Sequence, residues 1–348
     1  MASQISTRQA PAADQFGRPL RDLRISVTDR CNFRCPYCMP AEIYGERYEF
    51  LPRDELLTFE EIARLTGIFV DLGVTKARLT GGEPLIRADV IRLIRMLTPF
   101  NALADLTMTT NGYLLARFAQ ELKEAGLGRI TVSLDSLDDE VFRSMNGRNF
   151  DTAPVLEGIA AAEKAGFSPI KINAVVQKGV NDHTIVDLAR HFKGTGHIVR
   201  FIEFMDVGTL NHWNMSQVMP AAEIVRMICE EMPIEPVEPN YKGEVARRWR
   251  YVDGDGEIGI IASVSEPFCG ACTRARLSTD GRLVTCLFAA GGTDLRGPMR
   301  GGADDDELKK LIAGVWSDRR DRYSMNRSTL GDGDGATRSR IEMYQIGG

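Results

Sequence analysis

Between Leu23 and Met205 one pattern recurs six times: a short β-like run, then a stretch with apolar residues at helical spacing. The runs cover residues 23–29, 76–82, 105–112, 129–136, 170–178 and 197–205. Connections of helical length suit parallel neighbours, so the chain is expected to build a parallel sheet or barrel. The runs also alternate in polarity. Arg24, Ser26 and Thr28 share one face of the first, Arg78 and Thr80 of the second, and Thr107, Thr109 and Asn111 of the third. Thr131, Ser133 and Asp135 follow on the fourth, Lys171 and Asn173 on the fifth, while Leu, Ile, Val and Met fill the opposite faces. A parallel sheet covered by helices on both sides reads apolar on both faces. An antiparallel sheet with one wet face would alternate too, but the long connections argue for crossovers. An incomplete α/β barrel with a polar lumen, wide enough for a large polar ligand, reconciles both observations.

After residue 240 the texture changes. RWRYVDGDGEIGIIASV and ARLSTDGRLVTCLF read as hairpins, and ADDDELKKLIAGVW as a helix begun by acidic residues. The expected organisation is a flexible N-terminal arm (1–20), the barrel (21–240), a smaller α+β region (241–330) and a flexible tail (331–348) ending in Gly347 and Gly348. Neither DGDG copy has the register of an EF-hand loop, so flexible turns are expected there. A net charge of -5 argues against general nucleic-acid or membrane binding and leaves a small molecule as the partner. With no long apolar span and no signal-like start, the expected location is cytoplasmic.

In a reducing compartment seven cysteines do not form a disulfide framework. Cys229 lies in an amphipathic helical pattern and is expected to be a small buried hydrophobe without a role. The other six form two triads. Cys31, Cys35 and Cys38 follow the first strand directly, where β/α folds place their active sites, with no histidine nearby. Three thiolates suit zinc or a cubane iron-sulfur cluster; a cubane usually takes four, so one iron would stay open to a ligand. Cys269, Cys272 and Cys286 repeat that arithmetic, and zinc completed by another residue is the alternative there. Arg274 and Arg276 follow at strand spacing, which puts both guanidiniums on one side, suited to phosphate oxygens. No GxxxxGK[ST] loop is present, so a nucleotide would be held by such cations.

Cys31-Asn32-Phe33-Arg34-Cys35-Pro36-Tyr37-Cys38 resembles the C-x3-C-x2-C signature of radical S-adenosylmethionine (SAM) enzymes, and Gly81-Gly82-Glu83-Pro84 their GGEP motif. With DLRISVTD, TTNG, VSLDS, the second triad and the terminal Gly-Gly, nearly the whole chain is similar to the GTP 3′,8-cyclase family of molybdenum cofactor biosynthesis. That resemblance implies an incomplete (βα)6 radical SAM barrel closed by the C-terminal α+β region. It implies a lyase with two 4Fe-4S clusters and SAM. Cys31, Cys35 and Cys38 would bind the SAM cluster; Tyr37, Gly82, Ser133 and Met205 would contact SAM. Cys269, Cys272 and Cys286 would bind the second cluster, and Arg24, Arg78, Thr109, Lys171, Arg274, Ala275 and Arg276 would contact GTP. Arg24, Lys171, Arg274, Arg276, Gly347 and Gly348 would serve catalysis, the glycines by threading toward the site. A deoxyadenosyl radical would take hydrogen from ribose C3′, and the sugar radical would attack guanine C8. A reductant such as flavodoxin or ferredoxin, the next pathway enzyme (cyclic pyranopterin monophosphate synthase) and a homodimer are the implied partners. A peptide-modifying radical SAM enzyme with an auxiliary cluster is the alternative; an electron carrier or a zinc-stabilised module fits the polar lumen less well.

Overall fold

The structure, a computed structural model, describes residues 11–327 and 340–347. Six parallel strands form its centre: β1 (Asp22–Ser26), β2 (Lys76–Thr80), β3 (Asp105–Thr110), β4 (Arg129–Ser133), β5 (Lys171–Val176) and β6 (Ile198–Glu203). Each pairs in parallel with the next, joined by helices that include α1 (Phe59–Asp71), α2 (Val90–Leu97), α3 (Leu115–Glu124), α4 (Asp139–Asn146), α5 (Ala153–Lys164) and α6 (Ile185–Phe192). The helices show why they form where they do. In α1, Thr58 and Glu61 make a capping box and Ile62, Leu65, Ile68 and Phe69 form one buried stripe. Helix α7 (Ala221–Glu231) buries Ala221, Ile224 and Ile228; Cys229, beside that stripe, is exposed instead of buried as the periodicity suggested.

The later strands extend this sheet at both edges. β7 (Ile234–Val237), β8 (Arg247–Tyr251) and β9 (Glu257–Ile261) attach through a parallel β6–β9 pair. β10 (Arg274–Leu277) lies parallel to β1, followed by antiparallel β11 (Arg282–Val284) and β12 (Thr293–Asp294). The full order is β12-β11-β10-β1-β2-β3-β4-β5-β6-β9-β8-β7. Both hairpins read from sequence are present, but they are continuations of the barrel sheet and not a separate layer below it. The outermost strands do not pair with each other, yet side chains from β1 to β6, β9 and β10 line one cavity, so the sheet curls into an incomplete barrel. Its convex side carries Leu23, Ile25, Leu79, Met108, Ile130, Val132, Ile172 and Phe201, all buried under the helices. Each of the six central strands ends two to three residues before its β-like run, because Gly81-Gly82, Asn111-Gly112 and Leu134-Asp135 turn out of the sheet into the rim.

The ends of the chain correct the sequence reading. Residues 11–20 are packed, with Leu20 fully buried and a buried Asp14–Arg18 ion pair (2.6 Å) that Arg319 joins from just beyond α8 (Asp305–Ser317). Residues 1–10, and the 331–339 part of the tail with its GDGDG, lie outside the described residues. The remainder of the tail is anchored. Arg340 pairs with Asp206 (3.2 Å), which also holds Arg327 (2.9 Å) and accepts the Tyr323 hydroxyl. Tyr344 is buried against Met39 and Tyr44 and meets the Tyr48 hydroxyl at 3.0 Å. Tails rich in Gly, Ser and charge are poor core formers by composition, but one buried carboxylate and one aromatic socket suffice to seat this one. Replacing Asp206 by Ala should cost about 3–5 kcal/mol locally, the penalty for removing one partner of a buried ion pair. Hydrogen exchange would then show lost protection over residues 340–347; unchanged protection there would remove the anchoring role.

Candidate functional site

The first cysteine triad sits in the loop after β1, and that loop is held from several sides. The buried Arg34 guanidinium donates to the carbonyls of Cys31 (2.7 Å), Phe33 (2.7 Å) and Tyr44 (2.5 Å). Phe33 inserts among Tyr113, Phe142 and Phe150. The backbone N–H groups of Cys38 and Met39 turn back onto the Cys35 carbonyl. The strand tips then close on it. A Cβ on Gly82 would stand 2.1 Å from the Arg30 carbonyl oxygen, and one on Gly81, whose φ is +140°, 2.4 Å from that of Thr28. The glycine pair is thus demanded first by the backbone of the cysteine loop itself, a nearer reason than approach to a ligand. Glu83, the acid of the same motif, braces the next tip by accepting from Thr110 Oγ1 and the Asn111 N–H, both at 2.7 Å. Burial pushes its carboxyl up to about 7 against those bonds.

The second triad lies at the other end. Cys272 lies two residues before β10, which runs parallel to β1, so it belongs to the N-terminal rim while the first triad follows the C-terminal end of β1. A five-residue strand separates them, roughly 15–20 Å at about 3.3 Å per residue. Arg274 and Arg319 each place a guanidinium nitrogen 3.2 Å from Cys272 Sγ. Burial opposes ionisation of this thiol, but the two cations outweigh it and bring the value down to about 6. Cys286 is pushed up to about 11 by burial, and burial likewise raises Cys31 to about 12 and Cys35 and Cys38 above their ordinary value. Among the described residues no set of three or more His, Cys, Asp or Glu is gathered as a single ion requires. None of the six cysteines is in a disulfide. Half-buried thiols in threes, not closed on one point, fit a multi-iron cluster whose irons take one thiolate each better than they fit zinc. The thiolate already favoured at Cys272 supports that fit on the second side.

One cavity connects the two ends. Tyr37, Ser133, Asp135 and Met205 line it toward the first triad, and Cys269, Cys272 and Cys286 toward the second. Arg24, Arg78, Thr109, Lys171, Arg274 and Arg276 line it between, so most of the residues singled out from sequence share one space. Register puts Arg276, Arg24 and Arg78 abreast on three adjacent strands. Burial, then its neighbours Arg276, Arg274 and Arg78, hold the Arg24 guanidinium well below its usual value. Burial and Arg200 lower Lys171 to about 8. Tyr37 donates its hydroxyl to Asp135 Oδ2 (2.8 Å). Gly347 is seated on the wall with its carbonyl accepting from Arg276; at φ +69° a Cβ there would lie 2.1 Å from Thr80 Cγ2. Gly348 lies outside the described residues. Cys31, Cys35, Cys38 and Gly82 do not line the cavity themselves, and the Ala275 methyl turns to the apolar core, away from it.

Several lining groups were not singled out from sequence. Arg200 donates to Asn173 Oδ1 (2.8 Å) inside the cavity, and its place between Val199 and Phe201 on the sixth strand carried the same alternation as the others. Arg319, Tyr241 and Glu244 come from irregular segments where no local pattern marks them.

The chain matches the Radical SAM superfamily over residues 25–192 and Molybdenum Cofactor Synthesis C over residues 197–325. The fold is similar to that of SuiB from Streptococcus suis, crystallised bound to S-adenosylmethionine, with a TM-score of 0.61 at 15% identity over 93% of this chain and 73% of that one. The chain is 54% identical to a GTP 3′,8-cyclase of Acidothermus cellulolyticus, covering 93% of this chain and 90% of that protein. It is 49% identical to that of Staphylococcus epidermidis over 96% and 98%. Identity at this level along both chains, with the Radical SAM match, makes the chain a member of the GTP 3′,8-cyclase family of the radical SAM superfamily.

Proposed function

We propose that this chain is a radical SAM lyase that converts GTP to (8S)-3′,8-cyclo-7,8-dihydroguanosine 5′-triphosphate, the first step of molybdenum cofactor biosynthesis. The observation that carries the reading is the cavity lined at one end by Cys269, Cys272 and Cys286, at the other by Tyr37 from the loop of the first triad, with a row of cations between. Cys31, Cys35 and Cys38 would hold one 4Fe-4S cluster, with SAM against Tyr37, Gly82, Ser133 and Met205. Cys269, Cys272 and Cys286 would hold the other. When bound, the first cluster and SAM supply a carbon radical able to take a hydrogen atom from the ribose, the demanding part of the chemistry.

The chain's own residues do the positioning. Arg274, leaning on Cys272, orients the end of the substrate nearest the second triad. Arg24, Lys171, Arg200 and Arg276 face the polyphosphate, and Arg78, steadied by Thr109 (2.9 Å) and Thr131 (3.0 Å), adds a fork from the second strand. The barrel wall and the seated tail exclude water, with Gly347 serving through its carbonyl on Arg276 and Gly348 continuing beyond it. Asp135 fixes the Tyr37 ring at the SAM side. A cytoplasmic location, a flavodoxin- or ferredoxin-type reductant, transfer of product to the next pathway enzyme and a homodimer complete the proposal. Among the described residues no helix is long and apolar enough to cross a membrane. A peptide substrate suits this lumen less well, since its cations outnumber its carboxylates two to one.

Anaerobic reconstitution with reductant, SAM and GTP tests the reading. About eight irons per chain, with deoxyadenosine and a cyclised isomer of GTP, are expected; about four irons and no GTP consumption would return the second triad to another role. Replacing Gly82 by Ala should displace the cysteine loop and halve the bound iron, whereas full loading would show that the loop tolerates the clash. Arg276→Ala should lower kcat/KM by roughly ten- to a hundred-fold, the loss of about 1.5–3 kcal/mol for a charged hydrogen bond; an unchanged value would strike Arg276 from the site. Lys171 gives a pH signature. Depressed to about 8 from 10.5, it is uncharged in free protein at about pH 9, and a polyanion alongside raises the value again. GTP binding at about pH 9 should therefore take up a proton, read by calorimetry in buffers of different ionisation enthalpy, and Lys171→Met should abolish the uptake. Equal uptake in both proteins would exclude Lys171.

A further inference from the structure

Among the described residues, five cations in the cavity have no carboxylate within ion-pair distance, although Asp22, Asp105 and Glu244 act on them from farther off. Arg24 and Lys171 make no hydrogen bond or ion pair with any described residue. Among the described residues Arg78 donates only to the hydroxyls of Thr109 and Thr131. Arg200 meets the Asn173 amide oxygen and, at 3.5 Å, the Thr131 hydroxyl. Arg276 meets the carbonyls of Ile346 and Gly347. Cations so placed raise one another's cost, and only a concentrated negative charge offsets it.

The carboxylates on the same wall are already engaged. Asp22 accepts from Thr273 Oγ1 (2.6 Å) and pairs with Lys76 (3.7 Å). Asp135 accepts from Tyr37 and the Val175 N–H, both at 2.8 Å. Glu244 accepts from the Asn240 backbone (2.7 Å) and side chain (3.3 Å), and Asp321 pairs with Arg319 (3.2 Å). Proteins that take a nucleoside triphosphate as its magnesium complex offer the ion a carboxylate or a P-loop hydroxyl. This cavity offers neither in an uncommitted form, and no P-loop sequence is present.

The charges point the same way. An uncomplexed triphosphate carries about four negative charges at neutral pH, and a bound Mg2+ ion cancels two of them. Five unpaired cations match the first form and over-compensate the second. Ring closure between ribose and base also leaves every phosphate bond intact, so no leaving phosphate needs a metal to carry its charge. Resting on the GTP reading above, we propose that the cavity takes the triphosphate as the free, magnesium-free anion, and that Mg2+ ions compete with the protein for the substrate.

Equilibrium dialysis of the reconstituted holoenzyme against labelled GTP tests this, in magnesium-free buffer and in excess magnesium chloride at matched ionic strength. The proposal expects binding at least roughly tenfold tighter without magnesium, the loss of about one charged contact when two phosphate charges are masked. Equal or tighter binding with magnesium overturns the proposal while leaving GTP as the ligand. No binding in either buffer removes the substrate reading, and the proposal with it.

Discussion

Arg276, Arg24 and Arg78 stand side by side on three hydrogen-bonded strands, a row of like charges that a sheet ordinarily avoids. Among the described residues no carboxylate forms an ion pair with it, and Asp22 and Asp105 offset it only from a distance. Lys171 and Arg200 on β5 and β6 add to the same field across the lumen. The fold tolerates this because the other face of each strand is continuous apolar core, from Leu23 and Ile25 through Met108 and Val132 to Ile172 and Phe201. That burial carries the stability of the sheet, so the lumen can be left charged and waiting. The cost is recovered when an anion of matching charge enters.

The two triads depend on the same sheet. Parallel alignment of β10 with β1 sends one to each rim, and the length of a five-residue strand sets the gap that a nucleotide would span. The ends of the chain then tie the rims to distant sequence. Asp14 reaches Arg319, which donates to the carbonyl (2.8 Å) and sulfur of Cys272, so the N-terminal segment steadies the second triad. Tyr344 packs on Met39 and Tyr44 just after Cys38 while Gly347 meets Arg276, so one terminal turn touches the first triad's loop and the cationic row together.

Much of this was legible in the sequence because it rests on local period. Two-residue alternation put Arg24, Arg78, Thr109, Ser133 and Lys171 on one face, and the structure gathers them in one cavity. The Cys31 loop and the Gly81-Gly82 tip were equally readable, being contiguous. Other features were not. The attachment of β9 and β10 to opposite edges of the sheet is a long-range pairing that no spacing encodes. The buried Asp14–Arg18–Arg319 group joins residues some three hundred apart, and the Asp206 anchor draws in Arg327 and Arg340 from segments that look flexible by composition. Arg200 was readable by the rule that found its neighbours. Cys229 shows the opposite failure, a residue adjacent to an apolar stripe that stays outside it.

The two cysteine triads stand at opposite rims of one barrel, a single strand apart, and clusters held there would keep that spacing. Pulsed electron paramagnetic resonance on the doubly reconstituted, reduced protein measures it through the dipolar coupling between the two paramagnetic centres. A separation of roughly 15–20 Å, the length of β1, is the predicted result. Centres in direct contact, or far beyond that span, would contradict a substrate cavity lying between them.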